Sequence, residues 1–235
     1  MNDLNNLKVR TEGDDGRPFR DHGITSGVVE VHFRHIEDRL IDAIREADAV
    51  VGCVAWLTSE RILSALSGKK AVSLVVQKED FLRPDLHTKP SWPNRLRQQY
   101  AALPGCLRCW HRGSLVSRLS YCCNPDLEAV RCVGNYNRNR LPAFPRCHHK
   151  FAVFCRVVYG EEDEFGIPSK PEPYAAWTGS FNFTKNSGSS LENAVLIRDL
   201  AVASAYYHEW AQVVAVSEPL DWESDWVEPE WRIGS

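Results

Sequence analysis

Apolar and polar positions alternate with period two from Val28 to Phe33, recur with helical spacing at Ile36, Leu40, Ile41 and Ile44, then run almost unbroken from Ala49 to Trp56. That order predicts a strand, an amphipathic helix over Ile36 to Ala47 and a buried strand. Thr58 or Ser59 can cap a helix through about Leu66, Gly68 stops it, and Ala71 to Gln77 is another apolar strand. Such alternation predicts an α/β domain whose mixed, partly parallel β-sheet is flanked by helices on both faces. Past the proline-rich stretch Pro84 to Pro93, a helix is expected over Asn94 to Leu103, with short strands over Cys106 to Trp110 and Ala129 to Asn135. His148 to Tyr159 and Tyr174 to Asn182 read as a hairpin, Ala194 to Ile197 as a strand and Ala201 to Val216 as a closing helix. Residues 1–26 carry little periodicity and read as a mobile leader to a domain over 27–216, with an insertion at about 113–146. A tail over 217–235 holds Trp222, Trp226 and Trp231, which are expected to be buried, either in their own chain or in another.

Composition narrows the class. A chain of 235 residues with 43% hydrophobic and 25% charged content suits one globular domain. It has no apolar run long enough to cross a bilayer, and Met1 to Arg20 is polar and mixed in charge, unlike a secretory signal, so a cytoplasmic location is expected. The net charge of −3 gives no global attraction to a polyanion. Nucleic-acid binding would need a local basic surface, for which Arg95, Arg97, Arg108, Arg112, Arg118, Arg131, Arg138 and Arg140 are the candidates. Cysteines crowd one region, and disulfides are not expected in a cytosolic chain of this size. Cys106, Cys109, Cys122 and Cys132 could hold a structural zinc, with buried free thiols as the alternative.

The chemistry concentrates at His148-His149-Lys150, Gly179-Ser180-Phe181-Asn182 and Glu192. On an extended strand alternate side chains share a face, so His148 and Lys150 would point one way and His149 the other, and Ser180 would share a face with Asn182. Two neighbouring strands would then offer an imidazole, an ammonium, a hydroxyl and an amide to one pocket, the groups needed to attack phosphorus and hold its oxygens. Glu192 could orient the imidazole.

This constellation resembles the phospholipase D superfamily, whose signature is His-x-Lys, four residues, Asp, a short turn, then Gly-Ser-x-Asn. Thr178 to Lys185, followed by Ser190 to Ile197, is most similar to the small single-motif bacterial nucleases of that superfamily. Two departures stand out: Cys155 occupies the place of the Asp, and a long acidic segment, Gly160 to Pro173, replaces the short turn. Cys155 lies an odd number of residues from Lys150, so its side chain is expected to face away from His148, as a lost structural partner and not a lost catalyst.

The resemblance implies a metal-independent phosphodiesterase with no cofactor required for catalysis, in which His148 forms a phosphohistidine and Lys150, Ser180 and Asn182 hold the non-bridging oxygens. Arg138 and Arg140 are expected to bind substrate. One imidazole cannot readily be both nucleophile and acid in the same step. Within the chain, His87-Thr88-Lys89 lacks a following strand, and His111 and His35 lack supporting residues. The resemblance therefore implies a homodimer with one composite site. The Arg-rich insertion and Trp92, Trp110, Tyr121 and Tyr136 favour a nucleic-acid substrate over a membrane lipid. The alternatives are a phospholipase or phosphatidyl transferase, or a weakened nucleic-acid-binding module, and an associated recognition protein is a further partner.

Overall fold

The computed structural model describes residues 3–6, 8–9, 17–18, 20–83, 91–107, 110, 126–135, 145–160 and 169–222. Its strands are β1 (Lys8–Val9), β2 (Arg17–Pro18), β3 (Ile24–Ser26), β4 (Val29–His32), β5 (Ala49–Val54), β6 (Ala71–Gln77), β7 (Cys106–Leu107), β8 (Asp126–Leu127), β9 (Val130–Val133), β10 (Lys150–Tyr159), β11 (Ser169–Gly179) and β12 (Ala194–Ile197). Its helices are α1 (Ile36–Glu46), α2 (Glu60–Ser67), α3 (Trp92–Ala101) and α4 (Leu200–Ala215). Eight strands form one sheet in the order β3-β4-β12-β11-β10-β5-β6-β9. β5, β6 and β9 run parallel and the remaining neighbours antiparallel, so the sheet is mixed.

Every residue of β5 and β6 is buried, as expected for near-continuous apolar strands covered on both faces. On one face, Ile36, Leu40 and Ile44 of α1, Ile62 and Leu66 of α2 and Leu96 and Tyr100 of α3 pack on Val50, Val72, Leu74, Phe154 and Trp177. On the other, Tyr207, Trp210 and Val214 of α4 cover Val51, Val75, Phe151, Val153 and Cys155. Among the described residues no helix is long and apolar enough to cross a membrane.

Several boundaries differ from expectation for physical reasons. α3 begins at Trp92, two residues before the expected start, because Pro93 occupies the first turn, where its missing N–H is not needed. β11 begins at Ser169, inside the segment read as a loop, despite Pro171 and Pro173. Its pairing to β12 covers only Ala176–Gly179, so the proline-bearing half is an edge on that side and can forgo those donors. β9 falls within the stretch read as an insertion, yet it pairs with β6 as a strand of the main sheet. Ile24–Ser26, placed in the leader, forms the exposed edge strand β3. Trp222 is buried in the chain's own core, with Lys78 Nζ 5.4 Å from its ring centroid, whereas Trp226 and Trp231 lie outside the described residues.

Candidate active site

β10 enters the sheet antiparallel to β5, with Lys150 opposite Val54. The pairing continues one step beyond the strands through Ala55 N–H, which donates to His149 O at 2.8 Å. Lys150 therefore lies near the C-terminal end of β5, and His148 lies just outside it. Alternation has the effect expected. His149 turns to the α4 face, where its ring meets Phe151 edge-on and its Nε2 lies 3.4 Å from Glu209 Oε1. His148 meets the edge of Trp56 on the opposite side, ring centroids 6.5 Å apart. The ammonium of Lys150 donates to the backbone carbonyl of His148 at 3.0 Å.

The second motif arrives on β11. Phe151 pairs with Thr178, which sets Lys150 across from Gly179 and next to Ser180. Gly179 has φ +154°, and a Cβ there would lie 2.3 Å from Asn193 O, so only glycine permits this approach of β11 to β12. Phe181 and Phe183 are buried, which leaves Ser180 and Asn182 on the outer side of the segment. Phe183 N–H donates to Trp56 O at 3.1 Å, and Phe183 O accepts from the N–H groups of Thr58 and Ser59. Trp56 thus touches His148 with its ring and holds the Asn182 segment with its backbone.

Glu192 differs from expectation. Its carboxylate accepts a hydrogen bond from Ser180 Oγ, and among the described residues no hydrogen bond joins it to His148. The pairing of β11 with β12 explains this, since Ser180 N–H donates to Asn193 O at 3.0 Å and Ser180 Oγ accepts from Asn193 N–H at 3.1 Å, setting Glu192 beside the hydroxyl. Asn182 Oδ1 is buried and has no hydrogen-bond partner among the described residues. The neighbouring ammonium of Lys150, then burial and Arg146, hold the His148 pKa below the ordinary imidazole value. Burial lowers the pKa of Lys150, and Cys147 and Glu192 oppose that shift. The arrangement favours an uncharged imidazole beside a cation.

Cys155 is fully buried among Phe151, Val153 and Val157 on the α4 face, away from Lys150, as its parity requires. Burial raises its thiol pKa far above the ordinary value. Of the four cysteines considered for zinc, Cys106 and Cys132 are buried in different core clusters on opposite sides of the sheet, so these two do not converge on one ion. Cys109 and Cys122 lie outside the described residues, and no cluster of metal-ligating side chains occurs among the described ones.

Two of the expected nucleic-acid contacts are structural instead. Arg131 is buried and donates to Ser217 Oγ and O at 2.8 Å each and to Glu128 at 2.6 Å, and Arg97 donates to the carbonyls of Leu82 and Leu220. Arg95 is exposed, 3.2 Å from Glu60. Arg108, Arg112, Arg118, Arg138 and Arg140 lie outside the described residues, as do His87, Lys89 and His111. His35 occupies the N-cap position of α1 without a side-chain capping bond, its Nδ1 4.0 Å from Asp38 Oδ2. Sequence reasoning missed Trp56, Arg146 and Gln77. A polar Gln ending the otherwise apolar run of β6 was the available signal; Trp56 and Arg146 gave none, because only the fold brings them to His148.

No protein-family model matches the chain. Solved structures with a similar path include a phospholipase D family member, Nuc from Salmonella typhimurium, at 18% identity over 81% of this chain and 95% of that one, with a TM-score of 0.45. NucT from Helicobacter pylori is similar at 12% identity over 81% of this chain and 98% of that one, with a TM-score of 0.48. A viral protein, the uncharacterized protein L381 of Acanthamoeba polyphaga mimivirus, is 30% identical over 217 residues, which span 86% of this chain and 70% of the relative. At that identity and coverage, the chain belongs to the family of the mimivirus protein L381.

Proposed function

We propose that the chain is a phosphodiesterase of phospholipase D type that cleaves nucleic acid through a phosphohistidine. One observation carries this reading: His148–Lys150 and Ser180–Glu192, distant in sequence, meet across the β10–β11 register and around Trp56. An imidazole nitrogen of His148 attacks phosphorus in line, a P–N bond forms and the bond to the leaving oxygen breaks. Lys150 and the Asn182 amide N–H receive the charge that builds on the non-bridging oxygens. Ser180 reaches a phosphate oxygen only by releasing its bond to Glu192. His148 of the partner subunit in a homodimer protonates the leaving oxygen, then accepts a proton from the water that cleaves the P–N bond and restores the enzyme.

A second reading, a lipid phosphodiester as substrate, is favoured by a cavity of about 530 Å³ beside His148, lined by Val133, Pro145, Arg146, Val213 and Val216. An acyl chain could occupy such apolar walls. The test is cleavage of labelled single- and double-stranded DNA and RNA, and of phosphatidylcholine vesicles, in excess EDTA, comparing wild type with His148→Ala and Glu192→Ala. Cutting of nucleic acid that resists EDTA and is lost with His148→Ala supports the nuclease. Turnover of lipid alone selects the second reading, and phosphate-dependent binding without turnover of any substrate selects a binding module.

A further inference from the structure

We infer that Gln77 is a positioning residue for His148, an assignment that rests on the phosphodiesterase reading. Gln77 ends β6, and its side chain is 3% exposed. Its carboxamide reaches the backbone of two other segments and of its own neighbour Lys78. Oε1 accepts from Cys147 N–H at 2.6 Å, and Nε2 donates to Asn135 O at 2.9 Å and to Lys78 O at 3.0 Å. The amide orientation follows from its partners, since the flipped form would set its NH₂ against an N–H and its oxygen against two carbonyls.

The fold makes room for this group. Gly134 has φ +95°, and a Cβ there would lie 2.5 Å from Gln77 Oε1. Gly134 bridges to Arg146, and Asn135 N–H donates to Pro145 O at 3.0 Å, so the end of β9 and residues 145–147 form one clasp around the amide. His148 follows directly. Its backbone is held between Cys147 N–H, bound to Gln77, and His149 O, bound to Ala55 N–H, while its exposed imidazole stands against Trp56. A nucleophile that must attack phosphorus in line gains from such fixing, because a displacement of about 1 Å can cost roughly a hundredfold in rate. An apolar side chain of the same length would remove the acceptor of Cys147 N–H and the donor to the Asn135 and Lys78 carbonyls.

The test compares Gln77→Met and Gln77→Glu with wild type by steady-state cleavage in EDTA and by NMR titration of the His148 ring. Gln77→Met is expected to lower kcat by roughly a hundredfold with KM changed less than about threefold, and to move the His148 pKa up toward the ordinary value as Lys150 and Arg146 lose their register. In Gln77→Glu the carboxylate repels the Asn135 and Lys78 carbonyls, whereas the protonated acid can donate to one of them and still accept from Cys147, so activity relative to wild type at the same pH should recover as pH falls. A folded Gln77→Met with an unchanged His148 titration overturns the assignment. If Gln77→Met does not fold, a pH-independent ratio for Gln77→Glu overturns it instead. Failure of the wild type to cleave any phosphodiester would sink the phosphodiesterase reading, while the His148 titration would still decide whether Gln77 sets that ring.

Discussion

Two groups of charged side chains lie near the C-terminal ends of the parallel strands, and they are built in opposite ways. At β9 the cluster is sealed: Lys78 and Glu218 are 0% and 3% exposed with Nζ and Oε2 2.5 Å apart, and the buried Arg131 binds Ser217 and Glu128. At β10 the cluster is open: His148 is exposed, Lys150 is half-buried, and among the described residues Asn182 Oδ1 has no hydrogen-bond partner. The first spends its polar capacity on the protein and ties β9 to the chain after α4, with Cys132 and Glu218 exchanging two backbone bonds. The second keeps capacity in reserve, which is what a site for an anionic substrate requires. Charge alone therefore does not mark the candidate site of this sheet; accessible charge does.

His148→Ala should break the open cluster most severely, lowering cleavage by roughly 10⁴-fold or more with little change in thermal stability, measured by single-turnover kinetics and calorimetry. Glu218→Gln attacks the sealed cluster and should do the reverse. It removes the buried carboxylate that pairs with the Lys78 ammonium, with a loss of roughly 3–5 kcal/mol in denaturant unfolding and unchanged kcat per folded molecule. If Glu218→Gln instead reduced kcat at full stability, the two clusters would not be separable.

Lys150→Gln should lower kcat by roughly 10²- to 10³-fold, as for loss of one oxyanion-stabilising donor. It also tests the pH behaviour. Lys150 depresses the His148 pKa, so the free imidazole, and with it the acid limb of kcat/KM, extends below the ordinary histidine value in wild type. Removing the ammonium should move that limb to higher pH, and an unmoved limb would mean that His148 is not the group titrating. The smallest effect is expected from Cys155→Ser, which places a hydroxyl among apolar side chains on the α4 face: a loss of roughly 1–3 kcal/mol in stability, with kcat unchanged because that face is turned from the site.

The elements that could be read from the chain were those whose pattern reflects a single neighbouring surface. Ile36, Leu40, Ile41 and Ile44 mark one buried stripe of α1, and the largely apolar run from Ala71 to Val76 marks a strand covered on both sides. The face on which His148 and Lys150 lie, and the opposite face for Cys155, also followed from strand parity, which β10 preserves across the bulge between Phe154 and Cys155. Harder to read were the place of β9, expected as a short strand within an insertion but paired with β6 in the main sheet, and the start of β11, where prolines argue against a strand until its unpaired side is known.

The partners of the charged groups were decided elsewhere. Arg131 and Arg97 look like surface arginines in one dimension, and Glu192 looks free to choose between an imidazole and a hydroxyl. Their assignments depend on which strand ends adjoin: β9 beside the residues after α4, and β11 beside β12 in the register that sets Ser180 against Glu192. Local periodicity and parity are properties of consecutive residues and are therefore written in the chain. Hydrogen-bond choice among distant groups depends on sheet order and register, and these arise only when the whole sheet closes its two cores.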